Sequence, residues 1–239
     1  MYTPSDITDP TPPLDDRPYA GWLYGSVGLI GETGTQLDQI QLTLGVVGPL
    51  SLAEQTQKFV HALTGAERPE GWGTQLSNEP GVMLAYRRSW RVLQWESDGG
   101  FGMDLTPHAG ATLGNVFTYG STGFTVRFGR YHPEDDYGPL RIQPGAPGSG
   151  FFTPRDGIAW YLFAGVEGRA IARNIFLDGN SWKDSRSVEK KPLVGDAQLG
   201  FAVTWGNTRL AYTHIFRTPE FEGQEDSDVF GGISLSTLF

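Results

Sequence analysis

Hydrophobic and polar positions alternate along most of this chain, in long runs separated by turn residues. Residues 192–205 show the pattern best. Gly195, Ala197, Leu199, Phe201, Val203 and Trp205 share one phase, and Asp196, Gln198, Gly200 and Thr204 share the other. In 158–171, Trp160, Leu162, Ala164, Val166 and Ala170 alternate with Tyr161, Phe163, Glu167 and Arg169. In 123–129, Phe124, Val126 and Phe128 alternate with Thr125 and Arg127. In 82–92, Val82, Leu84, Trp90 and Val92 oppose Arg87, Ser89 and Arg91, and Arg88 interrupts the apolar phase. The pattern predicts about nine strands, near 18–30, 38–47, 81–93, 99–112, 115–129, 157–173, 192–205, 208–218 and 228–239. Between the fifth and sixth, 131–156 reads as a long loop, and 174–190 as a second loop or as strand extensions.

One stretch breaks the alternation. GPLSLAEQTQKFVHALTGAE, residues 48–67, has helical spacing and predicts a short helix over 51–64. Ser51 and Glu54 have capping-box spacing, and Gly65 suits a helix stop. Leu52, Phe59, Val60 and Leu63 can form an apolar side for packing. Gln57 and His61, four apart, share a face, with Glu54 one turn before. Two readings follow: a surface helix with a solvated polar face, or an imidazole set beside an amide and carboxylates to activate water.

Local alternation fits either a soluble sandwich with one wet face or a membrane barrel. Two features favour the barrel. Several runs reach ten residues or more, enough for a tilted strand to cross a bilayer, and Trp22, Trp90, Trp160, Trp205 and Tyr212 cluster near strand ends as interfacial girdles do. Arg127, Glu167, Arg169 and Asp196 belong to the polar phase. An Arg on the lipid side at mid-depth would cost about 2–4 kcal/mol, so that phase is expected to face a wet lumen. The last strand, DVFGGISLSTLF, ends on the aromatic Phe239, similar to the terminal signature of bacterial outer-membrane barrels.

Composition narrows the partners. The formal charge is −9, which argues against nucleic acid, since phosphate contacts need a basic patch. The absence of cysteine suits the periplasm and outer membrane. No run is apolar enough for a membrane-spanning helix, and the chain opens on a polar, proline-rich segment with no signal-peptide pattern.

Five segments carry a resemblance. DRPYAGWLYGSVGL, LGVVGPLSLAEQTQKFVHALTGAE, LGNVFTYGSTGFTVRFG, WYLFAGVEGRAIARNIFLDGN and KKPLVGDAQLG resemble the lipid A 3′-O-deacylase family of Gram-negative outer-membrane barrels, over essentially the whole chain. The resemblance implies an all-β, antiparallel up-and-down transmembrane β-barrel. The family has twelve strands, so residues 1–239 are expected to form a single barrel domain that is N-terminally incomplete, with 1–17 a remnant of an extracellular loop. It implies hydrolysis of the 3′-acyloxyacyl ester of lipid A with calcium as cofactor, at the lipopolysaccharide-facing end of the barrel. Gly48, Pro49, Gln57 and His61 match the family's Gly-Pro…Gln-x-x-x-His motif, and Glu67 matches its glutamate. His61 would be the general base. Gln57 and Glu67 would orient it or hold the metal shell, with Glu67 the candidate metal ligand.

There are departures. The family's Asn-Asp pair and small hydroxyl residue, on its first two strands, have no counterpart here, and Asp9 stands where some members have a lysine. Asp9 and Arg17 are the expected substrate contacts, Arg17 through a lipid phosphate or else as part of a loop ion pair. The expected partners are lipid A or lipopolysaccharide and outer-membrane lipids, for a monomer in the bacterial outer membrane. Two alternatives stay open: an inactive barrel of the same family with a structural or lipid-binding role, and a soluble carbohydrate-binding β-sandwich. His108 in the lumen, His132 in the long loop and His214 on either face are given no role.

Overall fold

The computed structural model describes residues 1–138 and 151–239. One antiparallel sheet contains β1 (Trp22–Glu32), β2 (Gln36–Val47), β3 (Glu79–Trp90), β4 (Leu93–Glu96), β5 (Gly102–Gly114), β6 (Phe117–Arg130), β7 (Arg155–Asn174), β8 (Leu193–Gly206), β9 (Thr208–Arg217) and β10 (Asp228–Thr237). β3 pairs with the second half of β5 and β4 with its start, so β4 continues the line of β3 beyond Arg91 and Val92. The remaining strands follow one another in chain order, an up-and-down path of nine that matches the expected strands closely. The sheet curves into a half-barrel whose edges, among the described residues, are β1 and β10.

Which face is buried decides the fold. The polar phase is inside: Gln39, Thr43, Arg87, Asp104, His108, Thr125, Arg127, Glu167, Arg169, Asp196, Arg209 and Thr213 are all buried. The apolar phase is outside: Leu42, Leu44, Val82, Leu84, Leu162, Leu199, Ile233 and Leu235 are exposed. A soluble sandwich packs its apolar faces together. This sheet does the reverse, as a lipid-facing wall around a polar lumen does, so the sandwich alternative is set aside.

The buried charges are compensated. Arg169 and Arg217 share Asp196 at 2.8 and 2.9 Å. Arg127 lies between Asp104 at 2.6 Å and Asp136 at 3.2 Å, and Arg209 also reaches Asp136 at 2.7 Å. Arg88, which broke the apolar phase, is outward, on the same face as Asp38. Its Nε donates to that carboxylate at 2.7 Å, close to the β1–β2 turn. Trp22 corrects the girdle reading: it is paired with Val47 on the inner face and packs against a buried cluster of Ala20, Val47, Met83, Val116 and Phe176. Trp160 and Trp205 do lie outward, near the rim opposite the helix, where Phe101 packs on Phe128 and Trp160.

The two rims differ. At one, residues 48–78 carry a long helix-bearing connection, and the 175–192 segment folds inward. Its short helix α2 (Ile175–Asp178) buries Ile175, Phe176 and Leu177, correcting the expectation of strand extensions. Glu79 holds that segment by accepting from Asn180 Nδ2 at 3.1 Å and Ser181 N at 2.7 Å. The N-terminal residues lie on the same rim: Tyr2 bridges to Ala20 and stacks on Phe176 with ring centroids 3.9 Å apart. The opposite rim carries the tight β1–β2 and β8–β9 turns and the 131–156 loop, whose residues 139–150 lie outside the described residues. Tyr131, Asp136, Tyr137 and Phe152 of that loop are buried. No helix among the described residues is long and apolar enough to cross a membrane, which says nothing of crossing by strands.

Candidate active site

The helix expected over 51–64 is a 3₁₀ turn, Pro49–Ser51, followed by α1, Ala53–Thr64. The capping box is a misreading. Leu52 occupies the N-cap in the left-handed region (φ 58°) with no side-chain cap, and Ser51 Oγ is buried without a partner among the described residues. Glu54 instead pairs with Lys58 at 2.6 Å, one turn on. The C-terminus is as expected: Gly65 takes φ 70°, a conformation that costs a residue without a Cβ little.

Spacing then divides α1 into three sides. Ala53, Gln57 and His61 recur every four residues and form one row; Ala53 and Gln57 are buried and His61 is half-buried. Trp72, from the turn Gly71–Thr74, packs on this row and donates from Nε1 to Gln57 Oε1 at 2.8 Å. Tyr19 lies on Trp72, ring centroids 4.9 Å apart, and its hydroxyl donates to the Ile7 carbonyl at 3.0 Å. Burial raises the Tyr19 phenol above its ordinary range, so it stays a neutral donor.

Strand alternation puts this cluster outside the wall. Ala20 and Trp22 join the inner cluster, so Tyr19 and Gly21, in the opposite phase, face outward. Tyr19 does pack in a separate cluster with Ala53 and Trp72. A Cβ on Gly21 would lie 1.9 Å from Ser51 Oγ and 2.6 Å from Ala53 Cβ, so the start of α1 rests directly on the outer side of Gly21.

His61 Nδ1 lies 2.5 Å from the main-chain carbonyl of Glu67. A carbonyl only accepts, so Nδ1 carries the proton and Nε2 presents its lone pair. Among the described residues nothing engages Nε2. This is the tautomer a general base needs. Glu67 thus touches His61 through its backbone; its side chain is exposed. Gln57 faces Trp72, as a fastener between helix and wall.

The other expected residues divide. Asp9 accepts from Thr11 N at 2.7 Å in a local turn, and its own carbonyl lies against Gly71, beside Trp72. Arg17 donates to Asp228 at 3.1 Å and to Glu220 at 3.4 Å and covers the Phe221 ring. It ties the N-terminal segment to the β9–β10 connection, the ion-pair reading of that residue. His108 meets Glu167 at 3.0 Å in the lumen, His132 meets Glu96 at 2.6 Å, and outward His214 lies 3.2 Å from the Tyr212 hydroxyl. Among the described residues no group of three or more His, Asp or Glu side chains is placed to hold a metal ion. Sequence reasoning missed Tyr19, Gly21 and Trp72. Their only signals were a tryptophan between two glycines in a polar loop and the DRPYAGW run.

Comparison with known proteins agrees with the fold. A family model described as outer membrane protein LpxR matches residues 1–239. The solved structure titled LpxR from Salmonella typhimurium superposes with a TM-score of 0.87 at 21% identity, covering 100% of this chain and 80% of that one. No curated protein matches the chain.

Proposed function

The chain belongs to the outer membrane protein LpxR family, the lipid A 3′-O-deacylases, and from that premise we propose that it hydrolyses the 3′-acyloxyacyl ester of lipid A with His61 as general base. The observation that carries the reading is the His61–Glu67 contact, which leaves Nε2 open on the outer side of the wall. In the proposed step Nε2 takes a proton from water, and the water oxygen bonds to the ester carbonyl carbon. The tetrahedral intermediate collapses by breaking the bond to the sugar 3′ oxygen, which receives the proton from the imidazolium. The products are a free 3′ hydroxyl and the acyloxyacyl carboxylate. The Glu67 carbonyl keeps the ring oriented and stabilises the imidazolium while it exists. Gln57 positions the helix that carries the base.

Calcium is the cofactor implied by the family likeness, and Glu67 would give it one oxygen. A hard cation of this kind takes six to eight oxygens. Among the described residues no three His, Asp or Glu side chains are gathered for such an ion. A second reading is a barrel of this family that holds lipid A without cleaving it. In either case the chain is proposed as an outer-membrane monomer with lipopolysaccharide as partner. A lipid phosphate at Arg17 would have to compete with Glu220 and Asp228. Asp9 is proposed to meet the substrate beside Trp72.

Mass spectrometry of lipid A from cells expressing the chain tests the proposal. Loss of the 3′-acyloxyacyl group, abolished by His61→Ala, is the expected result. An intact group in both cases favours the binding reading, and cleavage that survives His61→Ala removes His61 as the base.

A further inference from the structure

The third side of α1 is apolar and open. Leu52, Thr56, Phe59, Val60 and Leu63 follow a helical stripe; Leu52 is 55% exposed, Phe59 64% and Leu63 71%. The sequence pattern offered this stripe as a packing face, yet Trp72 and Tyr19 cover the Ala53–Gln57–His61 row instead. Across the helix from the stripe stands the Glu54–Lys58 pair, with Gln55 and Ala62 between the two. The helix therefore has one row on the wall, one apolar flank and one polar flank.

Its position says what meets the apolar flank. α1 begins against the outer side of Gly21 and so sits on the same side of the wall as Leu23, Leu44 and Val82, whose exposed side chains form the lipid-facing surface at this rim. The apolar flank and the lipid-facing wall thus stand on the same outer side, with exposed Leu50 between them in the chain. A polar flank, an apolar flank and an axis held at a barrel rim are the features of a helix lying in a membrane interface.

We propose that α1 is an interfacial helix whose Leu52–Phe59–Leu63 flank is covered by acyl chains of the surrounding outer-leaflet lipid. His61 lies where the wall row meets the polar flank, beside Glu54 and across the helix from Leu63, so the contact sets the depth of Nε2 on the headgroup side of the acyl chains. The proposal rests on the outer-membrane reading of the barrel, and its consequence for chemistry rests on the proposed deacylation.

The chain has no cysteine, so single labels are unambiguous. Leu63→Cys and Lys58→Cys chains, each carrying an environment-sensitive fluorophore, are placed in phosphatidylcholine vesicles with or without lipid bearing a spin label high on its acyl chain. The expected result is blue-shifted emission and several-fold stronger quenching at position 63 than at 58, with iodide quenching in the opposite order. Equal quenching at the two positions overturns the proposal. So does protection at 63 that lipid spin labels leave unquenched and that grows with protein density, which would mean a second copy covers the flank. The same pair of labels on a His61→Ala background is expected to behave identically. Failure of the deacylase reading therefore leaves this readout intact, and failure of this readout leaves lipid A cleavage to be judged separately.

Discussion

At His61 a single hydrogen bond sets the chemistry available. The Glu67 carbonyl fixes the proton on Nδ1, and the open Nε2 is what makes His61→Ala a decisive change. Removal of a general base is expected to cost about 10²–10⁴ in rate, read as the fraction of lipid A retaining its 3′ group in a timed assay. Glu67→Ala separates backbone from side chain. Among the described residues the exposed carboxylate has no partner, so unfolding stability is expected to change by less than about 0.5 kcal/mol. Turnover should still fall, because the carboxylate is a proposed part of the site; a variant that loses nothing would leave only the main-chain carbonyl with a role. Trp72→Phe deletes the donor to buried Gln57 Oε1 and leaves a gap where the larger indole lay, a loss of at least about 1–3 kcal/mol. Hydrogen exchange along α1 should accelerate while the strands stay protected. A role for Glu67 beside His61 was implied by the family resemblance. That the contact runs through a carbonyl was not legible, because backbone atoms carry no sequence signal.

The helix as an element shows where local pattern misleads. Its length and its Gly65 stop were readable, because 3.6-residue periodicity and a left-handed glycine are local properties. The capping box was not formed, since Ser51 is turned toward Gly21 by the wall rather than toward the helix end. The facing was inverted as well: the half-polar row packs inward because Trp72 offers it a hydrogen bond, and the apolar stripe goes outward. Gly21→Ala tests this docking. Its methyl group would collide with Ser51 and Ala53, so α1 should lift from the wall while the sheet persists. The expected readout is faster proteolysis within residues 48–67 and reduced lipid A cleavage with unchanged strand content by circular dichroism. An unchanged helix would mean that α1 is held by Trp72 and Tyr19 alone.

For the molecule as a whole, the strands and their facing were legible because a period of two is imposed on every residue of a wall with two different solvents. Arg127, Glu167, Arg169 and Asp196 were assigned to the lumen on that ground, and all four are buried there. Their partners were not legible, since pairs such as Arg169–Asp196, 27 positions apart, and Arg87–Glu167, 80 apart, depend on strand register and on the closing of the wall. Asp196→Asn leaves Arg169 and Arg217 with half their compensation inside the lumen and should destabilise the fold by about 3–5 kcal/mol, measured by urea unfolding in detergent. A loss below about 1 kcal/mol would show that lumenal water solvates these groups. By itself, then, the sequence determined the strands, their two faces, the family and the helix that carries His61, because each depends on residues near one another in the chain. Only the tertiary structure decided that Trp22 points inward, that Arg17 is tied to the β9–β10 connection, and that α1 rests outside the wall with its leucines exposed. Those outcomes depend on which distant surface competes best for each side chain, and no local pattern contains that competition.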